Sequence, residues 1–144
     1  MDKLDKVPTH LKHQPIIGVD AYKMLDGFRA GDTDARSISI GIAQWDKKAN
    51  EISAKVFRHD DKHNKWSRQS EELPIHRCFD LCSLIVQAIA ISKDRELSTE
   101  TELKPYIVNE GMLKKIKDFY EDKEKKSLKK KIENLRNLLN EFCE

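Results

Sequence analysis

The chain has 144 residues, 38% of them hydrophobic and 36% charged, with a net charge of +2. That is about one domain's worth of sequence, apolar enough in clusters to build a core and too nearly neutral to be drawn to nucleic acid by its overall field. The charged start has no apolar run behind it, the longest apolar stretch (78–91) is short for a bilayer, and Cys78, Cys82 and Cys143 form no disulfide framework. Together these predict a soluble cytoplasmic protein with no membrane partner.

Residues 1–14 are polar and read as a flexible lead. An apolar run at 15–19 follows Pro15 and suits a first strand, and Asp20 is placed to cap a helical segment over 21–25. Gly27, Gly31, Asp32, Thr33 and Asp34 mark a loop. Two strands come next. Ile38, Ile40 and Ile42 alternate with small residues, and Ile52, Ala54 and Val56 alternate with Ser53, Lys55 and Phe57. That period of two predicts half-buried strands with the isoleucine side inward. Residues 46–50 form a hairpin loop, 59–64 a second loop, and 65–70 a third antiparallel strand.

Pro74 opens a helix whose apolar stripe is Cys78, Cys82, Ile85, Val86 and Ile89, widened by Leu81, Leu84 and Ala88. A helix so apolar is expected to be largely buried across the sheet. The resulting fold class is α+β: an antiparallel β-meander covered by a buried helix, with a charged, coiled-coil-like helical tail. The core domain spans 15–92, a linker 93–109, and the tail 110–144. In the tail, Leu128, Ile132, Leu135, Leu139 and Phe142 form an a/d seam over about two heptads. Extending that register upstream puts Lys125 and Glu121 at seam positions, so a bend or a pair of helices is expected. Glu121 with Lys125 and Asp122 with Lys126 make helical ion-pair spacings. The seam predicts a homo-oligomer through the C-terminal helix.

The densest polar and aromatic segment is 65–72, followed by His76 and Arg77. On one strand Trp66 and Arg68 would share a face, with Ser67 and Gln69 on the other. An indole stacks planar bases and a guanidinium takes a phosphate with two parallel hydrogen bonds. Tyr22, Arg36, Trp45, Lys55 and Arg58 lie where neighbouring strands and loops can add to the same site, which completes a candidate ligand set with Trp66, Ser67, Arg68, Gln69 and Arg77. The competing account makes Trp66 a lid on the core and Arg68 an ion-pair partner of Glu71 or Glu72.

No nucleophile elbow, P-loop or dinucleotide fingerprint occurs. His76 and Cys78 are too close on a helix to face each other. His59 and His63, like Cys78 and Cys82, have one-turn spacing without the doublets of a zinc site. No catalytic residue, metal or cofactor is therefore expected. The tail lysines are diluted by acids and lack interleaved aromatics, so nucleic acid is not the expected partner either.

At His10-Leu11-Lys12, Asp34-Ala35-Arg36, Ile40 to Trp45 (IGIAQW), Ile52 to Val56 (ISAKV) and Trp66 to Arg77 (WSRQSEELPIHR), the chain resembles a family of small uncharacterised bacterial and phage-borne proteins. The resemblance covers roughly residues 8–90 and leaves out the lysine-rich tail. It implies no established activity. It does imply a mobile-element context, in which small non-enzymatic proteins sequester cyclic-nucleotide immune signals. The leading expectation is thus a non-enzymatic binder of a phosphorylated, base-containing small molecule with an anti-defence role. The alternatives are a protein-interaction module acting through its tail, or a weak nucleic-acid binder.

Overall fold

A computed structural model describes residues 1–144 apart from Lys47, Ala49, Asn50 and 124–126, with the side chain of Ser127 also left out. The predicted hairpin loop falls partly, and the two tail ion pairs fall in their lysines, outside the described residues. The fold is α+β, as the sequence pattern predicts: a five-stranded antiparallel sheet and three helices. It divides into two compact units, Met1–Phe79 and Asp80–Glu144.

The first unit is the sheet. Strand β1 (Gln14–Val19) pairs with β2 (Ala35–Ile42), which pairs with β3 (Ile52–Asp60). The far side of β3 carries two short strands: β4 (Lys65–Trp66) against His59 and Asp60, and β5 (Glu72–Pro74) against Ser53, Ala54 and Lys55. The third strand predicted over 65–70 therefore stops at Trp66. The Ser67 N–H donates to the Arg58 carbonyl and the Ser70 hydroxyl to the Ser67 carbonyl, closing a turn that carries Arg68 and Gln69 away from the ladder.

Burial follows the alternation but on the opposite face from the one expected. Ser37, Ser39, Ser53, Lys55, Phe57 and His59 are buried, whereas Ile40 is 40% and Ile52 37% exposed. The reason is steric. The serine side of the sheet is low enough for residues 5–13 to lie against it. A side chain on Gly18 would come within 2.6 Å of Val7 Cγ2 in that segment, and one on Gly41 would clash with the Gln14 carbonyl at the start of the neighbouring β1. The lead lies against the sheet: residues Lys3–Asp5 form a 3-10 turn, and Asp5 and His13 are buried. Asp20 does not cap a helix. Its carboxylate accepts from the Val7 N–H, and the segment after it is a single 3-10 turn, Tyr22–Met24, entered through Ala21 at φ 54°.

Helix α1 (Ile75–Ser92) starts directly after β5, with Pro74 just outside its first turn. Its stripe is not buried as expected. Ala90 is the one buried residue, and Leu81, Leu84, Ile85 and Val86 are 42–46% exposed. By length and composition alone it is apolar enough to cross a membrane, which the sequence estimate over 78–91 did not allow. In the second unit, α2 (Leu113–Glu121) and α3 (Ser127–Phe142) replace one continuous tail helix, in line with the break in heptad register. Lys93 and Lys129 both lie over the Tyr120 ring, at 5.4 and 5.2 Å.

Candidate functional site

Two polar cavities lie side by side at one end of the first unit. The larger, about 860 Å³, is lined by Tyr22, Asp26, Arg29, Thr33, Asp34, Arg58, Asp61 and Glu71 among others. The second, about 510 Å³, is lined by Asp34, His59, Asp60, Asp61, Lys65, Ser67, Arg68 and Gln69. They share Asp34 and Asp61. The strand ends supply Arg58, His59 and Lys65, and the turn after β4 supplies Ser67, Arg68 and Gln69.

Most of the carboxylates here are already engaged. Asp34 takes the Arg58 Nε at 2.7 Å, Asp61 takes Arg36 Nη2 at 3.0 Å and His59 Nδ1 at 2.6 Å, and Asp60 meets His63 Nδ1 at 2.8 Å. The His59 bond, with that from Arg36, holds the Asp61 carboxyl below its ordinary range, and His63 does the same for Asp60. Lys65 and Arg68, in contrast, make no ion pair among the described residues. The smaller cavity therefore presents two cations outside its ion pairs: Arg68 on the turn, and Lys65 opposite Asp60 in the ladder, where its charge helps lower that carboxyl. In the larger cavity, burial, with the charge of Asp26 and a hydrogen bond to it, raises the Tyr22 hydroxyl's pKa, so it stays protonated and its one proton goes to Asp26.

The predicted ligand set is only partly brought together. Tyr22 and Arg58 line one cavity, and Ser67, Arg68 and Gln69 the other. Arg36 is buried between Asp5 and Asp61. Lys55 is buried against Glu72 at 3.3 Å, so neither cation is available to a ligand. Trp66 packs at steep angles on Phe57 (6.0 Å) and His59 (5.1 Å) and lines neither polar cavity. Trp45 is exposed beyond the end of β2 and donates to Glu51, and Arg77 is exposed in the first turn of α1. His59 and His63 pair through Nδ1 with different aspartates, Asp61 and Asp60.

Sequence reasoning missed a buried cluster beneath the sheet. His13 Nε2 lies 2.6 Å from Ser39 Oγ, and its Nδ1 lies 3.1 Å from Ser53 Oγ and 3.3 Å from Glu72 Oε2. Burial tends to raise Glu72, but the Gln44 N–H, the Ser53 hydroxyl and the Lys55 ammonium outweigh it and keep the carboxyl ionised. Burial lowers the His13 pKa despite Glu72, so the ring is neutral. An ionised carboxylate can only accept, which assigns the proton to Nδ1 and leaves Nε2 to accept from Ser39. This is the order of a serine–histidine–acid relay. Yet Ser39 is 4% exposed and His13 and Ser53 are fully buried, so no substrate reaches the hydroxyl in this conformation. The cluster ties the N-terminal segment to three strands. Its sequence signal was the run of serines opposite isoleucines.

A family model described as "Family of unknown function (DUF6530)" matches residues 5–141. The chain belongs to this family. The match runs through the lysine-rich tail, which the resemblance read from residues 8–90 had left out. Neither the curated proteins nor the solved structures contain a match.

Proposed function

We propose that this protein binds, without chemical conversion, a phosphorylated, base-containing small molecule across the two polar cavities. The observation that carries the reading is the pair Lys65 and Arg68, cations without an ion pair among the described residues, in a cavity whose three aspartates are hydrogen-bonded to Arg58, Arg36, His59 and His63. A phosphate meeting them gains charge-assisted hydrogen bonds, with the Ser67 hydroxyl and the Gln69 amide beside it. Tyr22 and Arg29 line the adjoining space for the remainder of the molecule. A cyclic nucleotide fits this description. Taken with the bacterial and phage-borne resemblance, it supports a cytoplasmic protein that sequesters a cyclic-nucleotide immune signal.

A thermal-shift panel of mono-, di- and cyclic nucleotides tests this. The expected result is a saturable rise in melting temperature with at least one nucleotide at micromolar concentration. A flat response to all of them contradicts the reading. A second reading, recruitment of a protein partner by α3, is favoured by one feature: Leu138 and Phe142 are 64% and 86% exposed. It predicts no nucleotide response.

A further inference from the structure

The larger polar cavity does not end at Tyr22. Tyr22, Val56 and Glu71 also border an apolar groove of about 330 Å³ on the isoleucine face of the sheet. Strand register explains its floor. Val19, Ile38 and Val56 form one cross-strand row, and Ile17, Ile40, Ala54 and Leu73 the next. These side chains stand on the face away from the serines, and small Ala54 dips between larger neighbours. Ile17 and Val19 are 69% and 43% exposed. The size lies at the lower end of small-molecule sites, and the composition, an apolar floor with a few polar groups at one rim, is that of such sites.

We infer that this groove is the base subsite of the ligand proposed above, an inference that rests on that reading. A base-containing ligand needs an apolar platform, and the residue the sequence offered for it, Trp66, packs at steep angles on Phe57 and His59 and lines neither polar cavity. The groove supplies the missing platform, and its continuity with the polar cavity fixes the direction of the ligand. The planar, uncharged ring lies over Ile40 and Ala54. Its polar edge and sugar meet the Glu71 carboxylate at the shared rim. The phosphates lie beyond, toward Arg68. A carboxylate at the rim accepts but cannot donate, so the ring it favours carries an exocyclic amine, as adenine and guanine do.

Calorimetric titration of cyclic AMP, cyclic di-AMP and ribose 5-phosphate into the parent, Ile40→Glu and Ala54→Leu tests the assignment. Ile40 is half exposed, so a charge is tolerable there, and Ala54→Leu fills the groove without adding one. The expected result is at least tenfold weaker binding of the nucleotide by both variants, with ribose 5-phosphate bound as by the parent. Parent-like nucleotide binding in the folded variants overturns the groove assignment and leaves the proposed function standing. That includes the case in which light scattering shows that the substitutions only dissociate copies joined at this face. A parent that binds neither nucleotide removes both.

Discussion

His13 is the residue on which the first unit's order turns. It joins the N-terminal segment to Ser39, Ser53 and Glu72 with both ring nitrogens engaged. Its pKa is lowered from 6.5 by burial, so on acidification the unfolded chain takes up the proton before the native one, and stability falls below about pH 6.5. Glu72 is lowered from 4.5, so its contribution is present above that value and is lost as pH falls through its native pKa. The two effects have the same sign. Urea denaturation at successive pH values should therefore show stability declining from near pH 6.5 through the carboxylate range. His13→Ala should cost about 2–4 kcal/mol at pH 7.5, since it leaves three buried polar groups short of partners and opens a cavity. It should also remove the upper part of the pH dependence. A variant with the parent's full pH profile would mean that His13 does not titrate in this way.

Strand β3 shows how much the elements owe to shape as well as polarity. Its alternation, the pairing with β2, the first strand and the α+β class are legible in the isoleucine and serine pattern. Which face would be covered is not, because hydropathy favours the isoleucines, whereas close approach of the N-terminal segment needs the low side of Gly18 and the serines. The candidate site was legible to the same degree. Arg58, Ser67, Arg68 and Gln69 line cavities, but the turn at 67–70 ended β4 early and so separated Arg68 from Trp66. Lys55 and Arg36 were drawn inward by Glu72 and Asp5, partners too distant in sequence to be read from spacing. Two consequences can be measured. Trp66→Ala should lower stability by about 2–4 kcal/mol through lost aromatic packing while leaving nucleotide affinity within about twofold. Gly41→Ala should lower stability by at least about 2 kcal/mol, because the obstacle to its Cβ is backbone rather than a flexible side chain. Denaturant midpoints equal to the parent's would contradict either expectation.

For the whole molecule, two compact units and a net charge of +2 leave recognition to local features. In α3 the exposed residues Leu135, Leu138, Leu139 and Phe142 favour self-association of the tail. Light scattering at tens of micromolar should give more than the monomer mass, and Leu139→Glu should return it to monomer; monomer mass for the parent contradicts that proposal. The proposed phosphate site at Lys65 and Arg68 is decided by calorimetry with cyclic di-AMP on the parent and Arg68→Ala, each checked for an unchanged melt. Saturable micromolar binding by the parent, weakened at least tenfold by Arg68→Ala in step with the loss of about 1.5–3 kcal/mol of charge-assisted hydrogen bonding, is the predicted result. Equal affinity in the two proteins, or no heat of binding in either, would contradict it.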